Sequence, residues 1–456
     1  MNIKNPTENP SNVYAAHLSG KILLRNEIPF TETEIEMLLN QKFLNEIRGI
    51  EDSNFGYRCV RCGNQKRYLI GRIPTKTGKQ IYCRNCIEMG RVSTFEPLYK
   101  WAGPELPLDR LKNPCAWEGQ LTVHQKIASD KINEAMTNRT KLLTWAVCGA
   151  GKTEMLFRGL TDAISRGDRI CLATPRADVV RELVPRFRKA FPEVSITALY
   201  GGSPDKDDGC QFVISTTHQL FRYERAFDVM IIDEADAFPF YADASLVYAA
   251  KKARKESSSL IFLTATPRKW IKLQSACGFL PTVFVPSRYH GHPLPVPTFP
   301  SCYSLKKSLQ KDKLPPKIND WIAEKERNNR RFLLFVPSIE MAEQISKLTK
   351  YEYVHADDPD RIEKVECFRK GEITALITTT ILERGVTFPS IDVAVIDAGH
   401  NVFDVAALVQ IAGRAGRNAK DPYGDVSFFH QGKSDAMVGA VKMIEMMNNL
   451  AKERVK

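Results

Sequence analysis

The stretch Trp145-Ala146-Val147-Cys148-Gly149-Ala150-Gly151-Lys152-Thr153-Glu154 decides how this chain is read. It follows the apolar pair Leu142-Leu143 and precedes an amphipathic segment from Met155, so it predicts a strand running into a helix through a phosphate-binding loop. In such a loop, glycines let successive N–H groups curl inward at phosphate oxygens, and the new helix adds its positive end. Gly149, Ala150 and Gly151 would form the cradle, Lys152 would reach the β- and γ-phosphates of ATP, and the Thr153 hydroxyl would hold Mg²⁺. The first glycine of the usual signature is Ala146 here, giving A-x-x-G-x-G-K-T. The competing reading, a glycine turn with a solvated Lys and Thr, loses ground once the carboxylate and arginine motifs nearer the C-terminus are added.

Around this loop the chain runs to 456 residues, more than one hydrophobic core organises, so two or three domains are expected. No apolar run approaches the roughly 20 residues of a membrane span, and the start lacks a signal-peptide core, so a cytoplasmic protein is expected. Eleven cysteines, an odd number of which only four are regularly spaced, argue against a disulfide framework. The net charge is +12, and most of it is local: Tyr57–Lys100 carries ten bases against two acids.

That basic segment holds Cys59-Val60-Arg61-Cys62 and Cys83-Arg84-Asn85-Cys86, two C-x-x-C knuckles suited to a tetrahedral Zn²⁺ site on Cys59, Cys62, Cys83 and Cys86. Four thiolates on Zn²⁺ lower the segment's excess from eight to about six positive charges. Tyr57, Tyr68, Tyr82, Phe95, Tyr99 and Trp101 interleave with the bases, the mixture expected of a platform for single strands; a purely structural ribbon is the alternative. Before it, residues 1–56 read as a helical arm, with apolar positions at Ile35, Leu38, Leu39, Phe43 and Leu44 and a cap at Thr31 with Glu34. After a proline-containing linker, Gln125 opens the helix before the phosphate loop, and its amide is placed to read an adenine edge.

From the loop to about residue 285, apolar runs at 170–173, 196–199, 212–215, 229–232 and 260–263 alternate with helical patterns at 154–166, 177–190 and 245–254. This predicts a parallel sheet with helices on both faces. Candidate ligand residues fall at strand ends. Asp233 would contact Mg²⁺, and Glu234 would orient and deprotonate the attacking water. Thr264-Ala265-Thr266-Pro267 would link nucleotide state to domain movement, while Arg176, Thr216 and Thr217 would meet a phosphate backbone. The proline-rich residues 286–316 read as an irregular connection, and a second alternating unit comes after them. In that unit the stretch Thr378–Thr387, with Thr380 and Gly385, is suited to phosphate contacts. Gln410-Ile411-Ala412-Gly413-Arg414-Ala415-Gly416-Arg417 sets two arginines to face a γ-phosphate across an interdomain cleft.

The order of these motifs over residues 120 to 430 resembles the superfamily-two helicases and translocases. The resemblance implies two RecA-like domains sharing ATP and nucleic acid: 121–285 for the first and 317–456 for the second, joined by 286–316. Ahead of them would lie the arm (1–56), a zinc ribbon (57–103) and a linker (104–120). A four-cysteine ribbon before the motor resembles the ComFA late-competence family, the ATP-dependent motor of DNA uptake. That implies work on single-stranded DNA at the inner face of the membrane uptake channel, with a phosphoribosyltransferase-like ComFC partner, and leaves the oligomeric state open. PriA-type restart helicases keep their zinc ligands between motor motifs instead. Val386-Thr387 and Gln410 depart from the Ile-Asp and His of RNA-unwinding DEAD-box proteins. A DNA-binding scaffold with a regulatory ATP site is the non-motor alternative.

Overall fold

Alternation of apolar runs with amphipathic helices builds two parallel sheets, and the N-terminal region packs against the first. The computed structural model describes residues 10–54, 56–75, 78–383 and 388–453. At the N-terminus, α1 (Pro10–Leu18), β1 (Ile22–Leu23) and α2 (Glu32–Asn40) precede β2 (Leu44–Ile47). Thr31 caps α2 as its spacing predicts: its hydroxyl accepts from the Glu34 amide at 3.3 Å, and the Glu34 carboxylate accepts from the Thr31 amide at 2.8 Å. The helix stops short of Phe43, and Leu44 opens a strand, so the helical region also carries a sheet.

Two hairpins come next, β3 (Ile50–Ser53) with β4 (Gly56–Cys59) and β5 (Ile70–Thr75) with β6 (Gly78–Cys83). Then β7 (Leu98–Trp101) returns between β1 and β2, antiparallel to both. The cysteine ribbon is therefore an insertion within a three-stranded sheet. Tyr99 and Trp101, two residues apart on one face of β7, are buried with Leu18, Ile35 and Leu38. They belong to a core, not to a nucleic-acid platform, and Tyr82 lies over Gly71, where a Cβ would collide with its ring. Of the six interleaved aromatics, only Tyr68 and Phe95 are exposed.

The first large sheet comprises β8 (Lys141–Ala146), β9 (Ile170–Thr174), β10 (Ile196–Leu199), β11 (Phe212–Thr216), β12 (Phe227–Asp233), β13 (Arg254–Thr264) and β14 (Thr282–Val285). Its order is β10-β11-β9-β12-β13-β8-β14, with every pair parallel. α3 (Val123–Thr137), α4 (Lys152–Arg166), α5 (Ala177–Ala190), α6 (Ala244–Ala253) and α7 (Lys269–Ala276) surround it. β9 and β11 are buried along their whole length, which is why their sequences are continuous apolar runs.

The second sheet takes β15 (Arg331–Phe335), β16 (Glu352–Val354), β17 (Ala375–Thr378), β18 (Ile391–Val395) and β19 (Val426–Phe428) in the order β16-β17-β15-β18-β19, again all parallel. Its helices are α8 (Leu305–Leu309), α9 (Pro316–Arg327), α10 (Ile339–Thr349), α11 (Arg361–Lys370), α12 (Val405–Ala412) and α13 (Asp435–Glu453). The connection is less irregular than its prolines predict. Thr298 exchanges backbone hydrogen bonds with Val426 and Phe428, and Pro300 and Cys302 do the same with His430. Proline lacks a donor but keeps its carbonyl, so the segment can line the edge of the sheet beside β19.

The N-terminal region is locked to the first large sheet by buried charge. Asp207 accepts from Arg169 Nη2 at 2.9 Å, from Tyr223 Oη at 2.6 Å and from two loop amides, and Lys21 Nζ lies 3.2 Å from it. Burial would raise the Asp207 carboxyl pKa, but Lys21 and Arg169 reverse that and hold it well below the usual range. Stability from this group is thus fully present above about pH 4 and lost as pH falls toward its depressed folded value. Asp207→Asn should cost about 3–5 kcal/mol, because it leaves two buried cations without their counter-ion; urea unfolding at neutral pH would show it as a lowered midpoint.

Candidate functional site

The phosphate loop turns where its glycines permit. Gly149 and Gly151 have φ of 79° and 70°, in the left-handed region, and Lys152 begins α4. Ala146 ends β8, fully buried and paired with Val285 of β14, so the substituted first glycine sits in regular strand. A cleft of about 450 Å³ opens over the loop, bordered by Gly149, Ala150, Gly151, Lys152 and Thr153. Asp233 and Glu234, at and just past the end of β12, border the same cleft, as do Arg414 and Arg417 from the second domain.

Lys152 Nζ lies 3.7 Å from Asp233 Oδ1. Burial would lower its pKa, yet Asp233 and Glu234 outweigh this and keep the ammonium raised, so Lys152 stays charged. Glu234 sits at φ 51°, a region seldom used by residues with a Cβ, and its amide donates to Asp233 Oδ1 at 2.9 Å. A hydroxyl at Thr153 and a carboxylate at Asp233 are the hard oxygen donors that Mg²⁺ prefers. Arg414 is 1% exposed; its Nε donates to the Glu383 carbonyl at 3.2 Å, while its Nη1 meets no hydrogen-bond acceptor among the described residues. Burial, then the neighbouring Arg417, brings its pKa down to about 9.

Contacts run from this cleft to the second domain. Asp236 accepts from the Thr264 hydroxyl at 2.5 Å and from that of Thr266. Arg268, just beyond, donates to the Asp236 carbonyl at 3.1 Å and to Asp404 Oδ2 at 2.7 Å. Asp404 in turn caps α12, accepting from Ala407 N at 2.8 Å, and α12 carries Gln410. Cys148 Sγ in the phosphate loop donates to Gln410 Oε1 at 2.9 Å.

Other expected residues are placed differently. Gln125 is buried and absent from the cleft wall: its Nε2 donates to the Ala150 carbonyl at 2.8 Å and its Oε1 accepts from Thr122 N at 2.8 Å. It braces the loop from behind as the third helical residue of a capping box. The signal was legible, since Thr122 stands three residues before it. Arg176 donates to the Ile381 carbonyl at 2.8 Å and so joins the two domains. Thr216 is 8% exposed and Thr217 fully buried. Thr380 begins a half-buried turn, and Gly385 lies outside the described residues.

The four cysteines meet the geometry a metal asks for. All four are fully buried, and their sulfurs lie within 4.8 Å of one another. Cys62 and Cys83 are 3.5 Å apart, and Cys59 and Cys86 are 3.7 Å apart. A tetrahedral ion with bonds of about 2.3 Å requires sulfurs about 3.8 Å apart, so the cage fits Zn²⁺. Hydrogen bonds among the four thiols push Cys62 and Cys83 toward the thiolate form and Cys59 and Cys86 away from it, and Asn64 Nδ2 supports Cys83 at 3.8 Å.

The ribbon rests on the first domain. Arg61, between the first two cysteines, is fully buried in a bidentate pair with Glu27 at 2.7 Å, and Glu27 also binds Arg222 at 2.6 Å. On α6, Tyr248 takes a hydrogen bond from Arg58 at 3.2 Å, Ser245 pairs with Asn85 at 2.9 Å, and Lys252 donates to the Arg61 carbonyl at 2.7 Å. Part of the segment's positive excess is therefore committed to docking.

Two parallel sheets, a phosphate loop and an arginine pair facing it across the cleft define a superfamily-two, helicase-type ATPase, an enzyme that hydrolyses ATP with a divalent metal. Residues 118–269 match the type III restriction enzyme res subunit family and 314–419 the helicase conserved C-terminal domain, while 7–100 match the competence protein ComFA N-terminal domain. Among known structures, Saccharomyces cerevisiae Dbp5 bound to RNA and ADP BeF3 aligns with a TM-score of 0.51 at 14% identity, covering 74% of this chain and 98% of that one, a likeness of fold. Competence protein ComFA of Bacillus subtilis is 44% identical over 95% of both chains, and that of Streptococcus pneumoniae is 37% identical over 95% of this chain and 98% of its own. The chain belongs to the ComFA family. No described helix is long and apolar enough to cross a membrane.

Metal analysis of protein purified under reducing conditions should give about one zinc per chain, and Cys59→Ser should bring this toward zero. A wild-type value near zero would refute the zinc assignment.

Proposed function

We propose that this chain is an ATP-driven motor that moves along single-stranded DNA and drives the import of transforming DNA during natural competence, working at the inner face of the cell membrane. The observation that supports this most is the continuous line of contacts from Asp236, whose carboxylate holds Thr264 and Thr266, through Arg268 to Asp404 and α12. Such a line lets the state of a bound nucleotide bias the placement of one domain on the other, as a translocating stroke requires.

In this reading Lys152 and the loop amides of Gly149, Ala150 and Gly151 hold the phosphates, and Thr153 and Asp233 hold Mg²⁺, which neutralises phosphate charge. Glu234 orients the attacking water and takes its proton. Arg414 and Arg417 stabilise the charge spread over the transferring phosphoryl group. DNA would track over Arg176 and Thr380, reached from the exposed Tyr68, Phe95 and remaining bases of the ribbon. The functional units would be 1–56, 57–103, 121–285 and 317–456, with 104–120 and 286–316 as connections. A ComFC-like phosphoribosyltransferase-type protein and the membrane uptake channel are the proposed partners.

ATP turnover should rise on adding single-stranded DNA, and Lys152→Ala should abolish it. Arg414→Ala should lower kcat by about a thousandfold or more, the scale of a lost arginine finger. Turnover indifferent to DNA would sink the motor reading. Arg268→Ala should retain nucleotide binding but lose most of the DNA stimulation; equal stimulation in this variant would remove the proposed coupling line.

A further inference from the structure

Gln125 holds the phosphate loop from behind the cleft, and its side chain is not part of the cleft wall. Among the described residues that border the cleft, Tyr289 is the one aromatic. It stands four residues past the end of β14, in the connection between the two domains, and it is 48% exposed. β14 pairs with β8, the strand that feeds the phosphate loop, so the chain leaves the sheet beside the loop.

Three contacts hold Tyr289 there. Its amide donates to the carbonyl of Gly149 at 3.0 Å, fixing it to the phosphate loop. Its hydroxyl donates to the carbonyl of Arg417 at 3.2 Å, fixing it to the arginine segment. The His290 ring packs edge-on against it, with centroids 4.9 Å apart. Next to it Arg288 is buried, donating through Nη1 to the Gly416 carbonyl, with Nε and Nη2 unpartnered among the described residues. An exposed aromatic surface held this firmly, at the rim of a site built for a triphosphate, suits a flat π-system.

We propose that Tyr289 is the nucleobase-binding residue of the cleft: the base stacks on its ring, while its hydroxyl ties the occupied site to the arginine segment. This rests on the reading of the cleft as the ATP site. Stacking acts on the base alone, so the role separates from phosphate binding. Tyr289 would sense which nucleoside is present, and Lys152 would sense the phosphates.

The test is equilibrium binding of ADP and of inorganic tripolyphosphate, each with Mg²⁺, to the full chain and to Tyr289→Ala, Tyr289→Phe and Lys152→Ala. Tyr289→Ala should weaken ADP by roughly ten- to a hundredfold, the scale of one base–aromatic stack, and leave tripolyphosphate within about twofold. Retained tripolyphosphate binding also certifies that this variant is folded. Tyr289→Phe keeps the ring and should hold ADP near wild type while lowering kcat for ATP. The proposal is overturned if Tyr289→Ala weakens both ligands alike or neither, or if Tyr289→Phe loses ADP as fully as Tyr289→Ala. Failure of the underlying site reading looks different: the wild type would bind neither ligand, or Lys152→Ala would leave both intact.

Discussion

A buried guanidinium with no carboxylate paired to it among the described residues sets the terms for the cleft. Arg414 is nearly inaccessible and lies close enough to Arg417 to feel its charge, with Arg288 and Lys152 nearby. Arg288 is likewise depressed to about 10, first by burial and then by Arg417. Asp233 and Glu234 already offset Lys152, but Arg414 and Arg417 crowd each other in a low-dielectric space, a repulsion that a bound anion would relieve. A polyphosphate between the domains would supply that anion and draw the two sides of the cleft together. Hydrolysis and phosphate departure would then weaken the force that closes it.

The neutral contacts around the cleft serve a different purpose. Gln410 with Cys148 and Tyr289 with Arg417 cross toward the second domain by hydrogen bonds to carbonyl oxygens. Such bonds contribute only about 0.5–1.5 kcal/mol each. They can fix direction without making closure permanent. The charged crossings, Arg268 with Asp404 and Arg361 with Asp178, lie outside the cleft wall and are partly exposed, so solvent screens them.

Much of this was legible in the sequence, because the features concerned are local. α5 begins and ends at Ala177 and Ala190, as its apolar spacing predicts, and the C-x-x-C pairs fold into one cage. The phosphate loop, Asp233, Glu234, Arg414 and Arg417 converge as the motif order implies. What stayed hidden depends on partners distant in sequence. Tyr99 and Trp101 interleave with bases as a stacking surface would, yet strand pairing with β1 and β2 turns them inward. Arg61 looks like a solvated charge until Glu27 and Arg222 are brought beside it. Tyr289 is followed closely by prolines, in a stretch whose composition predicts only a connection.

The insertion of the ribbon within the β1-β7-β2 sheet bears on the order in which the protein can assemble as it leaves the ribosome. β1 and β2 emerge early but lack their central strand until residues 98–101 appear, so the cysteine cage lies complete within the nascent chain before the sheet that frames it can close. Even then Lys21 awaits Asp207, and Glu27 awaits Arg222, more than a hundred and eighty residues later. Domains generally fold as units, the N-terminal one first during synthesis. Here the first segment made cannot finish until much of the first RecA-like domain has been translated, so gathering its four cysteines is the earliest commitment open to it, and that domain acts as the template on which the N-terminus is completed.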